Sequence, residues 1–132
     1  MGARILVIED NPTNLELMTY LLNAFGHTTF VARDGRQGVE AALRETPEII
    51  LCDLALPEMD GYEVVRRLKT EPRLNDVPII AVTASAMVGD REKVVLTGFD
   101  GYISKPITPE TFVQEVESYL RKRASHGDDP RR

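Results

Sequence analysis

Five short apolar runs punctuate the chain: Ile5–Ile8, Thr28–Val31, Ile49–Cys52, Ile79–Val82 and Tyr102–Ser104. Three of them are near-continuous β-branched and aliphatic stretches without polar alternation. That pattern belongs to strands covered on both faces, as in a parallel sheet sandwiched by helices. Between the runs, apolar residues recur at helical spacing and carry start and stop signals. Asn11 is placed to cap a helix that begins at Pro12, with Leu15, Met18, Leu22 and Phe25 on one face and Gly26 just past its end. A second helix runs from about Gly35, with Val39, Ala42 and Leu43 inward and Pro47 beyond its end. A third follows Gly61 with Val64, Val65 and Leu68, and Pro72 closes it. A fourth starts near Asp90 and ends before Gly98. The last opens with Thr108 as cap and Pro109 at its first position, and Phe112, Val113, Val116 and Leu120 form its apolar stripe.

Alternating strand and helix predict an α/β fold, a doubly wound five-stranded parallel sheet. In such sheets functional groups collect at the carboxyl ends of the strands. The periodic pattern supports one domain over residues 1–123, with 124–132 a short polar tail.

Composition narrows the function classes. A chain of 132 residues, 42% hydrophobic and 28% charged, can bury roughly two-thirds of its unfolded surface without a disulfide or structural metal. The single cysteine, Cys52, has no internal partner and suits a reducing compartment. It lies inside a predicted buried strand and reads as an inert core thiol. A formal net charge of −5 disfavours a nucleic-acid binder, which wants a basic face. His27 and His126 have no ligand cluster around them and do not suggest zinc. The apolar start stops after four residues at Glu9 and Asp10, too short for a signal-peptide core, and no run approaches a membrane span. The expectation is a cytoplasmic protein with no membrane partner.

On the predicted sheet, reactive side chains from separate segments converge. Glu9 and Asp10 end the first strand, Asp53 the third, Thr83 the fourth and Lys105 the fifth. Taken singly, an acid after a strand is as readily a loop or helix cap. Three carboxylates in one cleft repel each other and raise their own pKa values unless a cation joins them. An oxygen-only set without His or Cys suits a hard divalent ion, and Mg²⁺ is the usual companion of phosphates. Lys105 adds a compact positive charge and Thr83 a hydroxyl donor, a combination suited to holding a phosphoryl group.

Four segments carry a resemblance. Ile5-Leu-Val-Ile-Glu-Asp-Asn11, Ile50-Leu-Cys-Asp-Leu-Ala-Leu-Pro-Glu-Met-Asp-Gly61, Ile79-Ile-Ala-Val-Thr-Ala84 and Tyr102-Ile-Ser-Lys-Pro106 resemble the signatures of bacterial two-component response-regulator receiver domains. The likeness covers residues 4 to about 121. Asn11-Pro-Thr-Asn14 and Thr83-Ala-Ser-Ala-Met-Val-Gly-Asp90 are similar to the branch holding the single-domain cell-cycle receivers and the receivers of hybrid kinases. The resemblance implies the (βα)5 flavodoxin-like receiver fold with strand order 2-1-3-4-5. It implies Asp53 as phosphoacceptor. Mg²⁺ would be held by Asp10, Asp53 and the backbone carbonyl of Ala55, with Glu9 acting through water. Lys105 would pair with Asp53 and then the phosphoryl group, with a cis peptide to Pro106, and Thr83 and Tyr102 would be the switch pair. The implied partners are a sensor histidine kinase or histidine phosphotransfer protein as donor and a downstream protein target, met by a monomer or weak dimer. Ala55 and Ser85, both small, stand where receivers tune the access of water to the acyl phosphate.

The chain would then catalyse its own phosphorylation and dephosphorylation without turning over an external metabolic substrate. Two other classes fit less well. An Asp-nucleophile phosphatase needs a second acid two residues after the nucleophile, where Ala55 stands, and a flavodoxin-like redox protein would meet repulsion between Glu9, Asp10 and a flavin phosphate. A receiver module cut from a hybrid histidine kinase is the alternative setting for the same domain.

Overall fold

Each of the five apolar runs forms a strand, one residue longer than the pattern predicts: β1 Arg4–Ile8, β2 Thr28–Ala32, β3 Ile49–Asp53, β4 Ile79–Thr83 and β5 Gly101–Ser104. The structure, a computed structural model, describes residues 2–84 and 88–128, the side chains of 88, 89 and 123–128 excepted. The strands pair in the order β2-β1-β3-β4-β5, every pair parallel. Two apolar cores cover the sheet. Leu6, Ile8, Ile50, Cys52, Ile79 and Ala81 face one, whereas Ile5, Val7, Ile49, Leu51, Ile80 and Val82 face the other. Successive strand residues point to opposite faces, so with both faces dry the central strands are apolar except at their ends, where Arg4, Asp53 and Thr83 stand.

The helices follow the sequence signals closely. In α1 (Pro12–Ala24) Leu15, Met18 and Leu22 are buried, and the Asn11 side chain accepts from the Asn14 N–H at 2.9 Å. Phe25 departs from the expected face. The helix stops at Ala24, so Phe25 occupies the C-cap out of helical phase and is 64% exposed. Helix α2 (Gly35–Glu45) is capped by Asp34 and buries Ala41 with Ala42, while Val39 and Leu43 are only partly buried. Helix α3 (Gly61–Leu68) buries Val64, Val65 and Leu68, and a 3₁₀ turn at Pro72–Leu74 follows. Helix α4 (Val88–Thr97) begins two residues before the predicted start. Helix α5 (Pro109–Asp128) runs past residue 123, with Phe112, Val113 and Val116 buried and Leu120 partly so. No helix among the described residues is long and apolar enough to cross a membrane.

Two polar ties close the end of the sheet opposite the strand carboxyl termini. Buried His27 accepts the Ala3 N–H on Nδ1 at 2.9 Å, which leaves its Nε2–H to donate to Glu117 on α5 at 2.8 Å. Arg4 donates to the backbone carbonyls of Glu45 and Thr46, the last turn of α2, and lies 5.0 Å from the Phe30 ring centroid. A cation at that helix end satisfies carbonyls that have no intrahelical partner.

Thr46 ends α2 in the left-handed region, φ 40° and ψ 65°. A β-branched residue is the least suited to that region, and glycine enters it without steric cost. Thr46→Gly is therefore expected to stabilise the protein by about 0.5–1 kcal/mol, the relief of strain less the added freedom of the unfolded chain. A urea midpoint that is unchanged or lowered would refute this account.

Candidate functional site

At the carboxyl edge of the sheet the strands deliver their polar residues together. The Glu9 N–H bonds to Ala32 O at 3.0 Å and so continues the β1–β2 ladder for one step. That step carries the Glu9 side chain beneath the rim, where it is fully buried, while Asp10 next to it is exposed. Asp53 ends β3 and Thr83 ends β4, each 5% exposed. Lys105 follows β5 and is anchored by its N–H to Thr83 O at 2.8 Å. The peptide from Lys105 to Pro106 is cis.

Oxygens of Glu9, Asp10 and Asp53 all lie within 4.8 Å of one another. The Lys105 ammonium sits 3.2 Å from Asp53 Oδ2 and 3.0 Å from Glu9 Oε1. Asp53 Oδ1 accepts the backbone N–H of Ala55 at 3.1 Å, and Glu9 Oε2 accepts that of Asn11 at 3.2 Å. Glu9 Oε1 accepts no hydrogen bond among the described residues, although it is buried and the ammonium is close, because the approach angle is poor. Gly61 makes this packing possible. A Cβ there would lie 2.5 Å from Asp53 O and 2.8 Å from Leu54 Cα, so only glycine lets α3 start against the end of β3. Asp60 caps that helix by accepting the Glu63 N–H at 3.0 Å.

One ammonium cannot balance three carboxylates. Burial, followed by the neighbouring Asp53, lifts the Glu9 carboxyl from 4.5 to about 7, and Lys105 only partly opposes the rise. Burial works against the charged form of Lys105 as well, but its hydrogen bond to Glu9 and the charges of Asp53 and Glu9 outweigh this and raise its pKa. Burial, together with Asp53, Glu9 and Asp60, likewise pushes the Cys52 thiol up, so it is held as an inert thiol whose S–H points at Asp53 O, 3.4 Å away.

The residues present fit a hard divalent cation. The donors are oxygen only, one buried oxygen lacks a hydrogen bond, and the oxygens are close enough for one ion to join them, partly through retained waters. Ala55 is exposed beside the cluster. Tyr102 is partly buried on β5 opposite Ala81 in register, and Thr83, two residues after Ala81, falls on the same face of the sheet. The Arg91 guanidinium lies 5.1 Å from the Tyr102 ring centroid. Ser85 lies outside the described residues. The resemblance implies Asp53 as the partner of Lys105. Its equally close contact with Glu9 has no local signal, because it depends on two strands that are 96 residues apart.

A five-stranded parallel sheet in this order, with an acid cluster and a lysine at its carboxyl edge, is the arrangement of a receiver domain. The family model of the response regulator receiver domain matches residues 5–117, and the chain belongs to that family. It is 40% identical over 120 residues to the polar-differentiation response regulators DivK of Brucella anthropi and Brucella ovis, covering 91% of this chain and 98% of theirs. Among solved structures it resembles the receiver domain of the sensor histidine kinase PA1611 of Pseudomonas aeruginosa, determined with a magnesium ion coordinated in the active-site cleft. That match has 35% identity and a TM-score of 0.80, over 92% of this chain and 97% of that one. The chemotaxis protein CheY4 of Vibrio cholerae, at 23% identity and a TM-score of 0.84, shares the fold over 89% of this chain and 98% of its own. The chain is thus a receiver homologous to single-domain response regulators, a class that signals through phosphorelays, interacts with histidine kinases or phosphotransfer proteins and binds Mg²⁺ in its active site.

The raised pKa of Glu9 makes the metal-free fold sensitive to pH. An acid whose folded-state pKa is raised contributes stability that is complete below its unfolded value, 4.5, and lost as pH rises through about 7. In chelator, Glu9→Gln should therefore be more stable than wild type at pH 8, by up to about 3 kcal/mol at about 1.4 kcal/mol per pKa unit. The gap should close towards pH 5. Urea melts at the two pH values test this, and an equal gap at both would remove Glu9 as its origin.

Proposed function

We propose that Asp53 is the nucleophile and phosphoacceptor of this receiver, taking its phosphoryl group from a phosphohistidine on a sensor kinase or phosphotransfer protein. The observation that carries the reading is the placement of its carboxylate. It is nearly buried, 3.2 Å from the Lys105 ammonium, and fixed on its other oxygen by the Ala55 N–H. In the reaction a carboxylate oxygen of Asp53 forms a bond to phosphorus while the bond from phosphorus to the donor imidazole nitrogen breaks. The imidazole leaves with the electron pair. Such transfer has a loose, in-line transition state, so positioning and neutralisation of charge do most of the work. Lys105 supplies a fixed positive charge to the phosphoryl oxygens, and its two carboxylate partners hold the ammonium in place. Thr83, at the end of the neighbouring strand, would donate its hydroxyl to the same oxygens.

Asp10, Asp53 and the carbonyl of Ala55 would hold Mg²⁺ directly, and Glu9 would act through water. The bound ion would neutralise charge that builds on the transferring group. Phosphorylation would act on a pre-existing equilibrium in which Thr83 and Tyr102 are the switch pair and α4, β5 and α5 form the altered binding face. A receiver module within a hybrid kinase is the second reading, favoured by the 35% identity to the PA1611 receiver.

Mg²⁺ is expected to raise the melting temperature, since a ligand bound only by the folded state stabilises it by mass action and here also relieves carboxylate repulsion. Asp10→Asn should lose most of that gain. Identical wild-type melts in excess Mg²⁺ and in chelator would defeat the metal assignment. Incubation with acetyl phosphate and Mg²⁺ should add one phosphoryl group, labile to hydroxylamine, and Asp53→Asn should abolish it. Mass spectrometry that found the group retained in Asp53→Asn would move the acceptor elsewhere.

A further inference from the structure

Burial anchors helix α4 weakly. Among its described side chains, residues 90–97, only Val94 is buried, whereas Val95 and Leu96 are 61% and 84% exposed. The neighbouring α3 buries Val64, Val65 and Leu68. Two cations add to the attachment of α4. Arg91 and Lys93 precede Val94 by three positions and one, so they flank its inward side by about 60° and about 100°. Each lies over a tyrosine of an adjoining element. The Arg91 guanidinium is 5.1 Å from the ring centroid of Tyr102 on β5, and the Lys93 ammonium is 4.4 Å from that of Tyr62 on α3. Both distances fall inside the range, about 6 Å, over which a cation is attracted to a ring face.

The two clasps differ in what backs them. Tyr62 meets Phe99 edge-on, with centroids 6.2 Å apart and planes at 78°, and Phe99 is itself 4% exposed. That ring has a buried wall behind it. Tyr102 is also partly buried, but it borders the short side chain of Ala81 on β4, and among the described residues no second ring meets it. Of the two, the β5 clasp is the one that can give.

We propose that Arg91 is a latch on Tyr102. Its guanidinium holds the ring in the resting position, the ring leaves that position only as the stacking breaks, and Tyr102 and α4 therefore move together. The latch rests on Tyr102 being a switch residue. Arg91 then has a regulatory role, for it sets how much of the unphosphorylated protein already adopts the switched conformation. A flat cation suits that role, since guanidinium stacks on a ring face more readily than an ammonium does.

The test uses the full chain labelled with 3-fluorotyrosine, with the Tyr102 fluorine signal assigned by Tyr102→Phe. Spectra are taken with and without beryllofluoride and Mg²⁺, which together mimic an acyl phosphate, and amide hydrogen exchange is followed at residues 93–97. Arg91→Gln should raise the resting population of the beryllofluoride-induced Tyr102 signal about two- to fivefold, the range that loss of an exposed cation–π contact supports, and should speed exchange in α4 by a similar factor. Lys93→Gln should speed exchange yet leave the Tyr102 population at its wild-type value. If wild-type Tyr102 responds to beryllofluoride but Arg91→Gln changes neither readout, the latch is overturned and the switch reading stands. If wild-type Tyr102 does not respond, the switch reading falls and the latch falls with it.

Discussion

Lys105 reaches two carboxylates at once, Glu9 from the end of β1 and Asp53 from the end of β3, at a rim where neither acid is appreciably exposed. Removing that one ammonium would leave two buried carboxylates facing each other, an arrangement that drives one of them to take up a proton. The surrounding fold holds these ends in place. Strands β1 and β3 are direct neighbours in the sheet, and their side chains enter dry cores on both faces, so their carboxyl ends cannot drift apart. The apolar cores thus hold together charges that would otherwise separate.

From this rim a short route leads to the helix that flanks the far side of the sheet. The Lys105 N–H bonds to Thr83 O, so the lysine and the threonine hydroxyl are carried on one continuous piece of β4–β5 ladder. Tyr102 sits two register positions back on the same face, beneath Arg91 of α4. A change at this rim therefore meets, within two strands, a helix that contributes one buried side chain among those described. The helices elsewhere are more deeply seated. Helix α5 is fastened both by its buried stripe and through Glu117 to His27. Attachment is thus firm on one side of the site and weak on the other, and elements that move are drawn from the weakly held end.

Some local strain accompanies this arrangement. Glu9 lies where burial disfavours its charge, and Glu58, in the loop between Asp53 and α3, holds a left-handed φ of 64°. Both sit at the reactive edge, where strain held by the surrounding structure commonly collects. Thr46 is strained at the opposite end of the molecule, where Arg4 bonds its carbonyl.

The strands were legible because a sheet dry on both faces needs uninterrupted apolar runs, and the helices because Asn11, Pro12, Thr108 and Pro109 mark their starts. The convergence of Glu9, Asp10, Asp53, Thr83 and Lys105 on one edge was legible too, since in a parallel sheet every strand ends on the same side. Phe25 was misplaced because periodicity continues past the point where a helix stops, and only the backbone shows where that is. The burial of Glu9 beside the exposed Asp10, the sharing of Lys105 between two acids, and the stacking of Arg91 and Lys93 on Tyr102 and Tyr62 came from tertiary structure alone. The sequence determined the elements and the chemical types at their ends, because those follow from local pattern and chain direction. Which charge meets which, and which ring lies under which cation, depends on distances across neighbouring elements, and those are set only when the sheet and its helices pack.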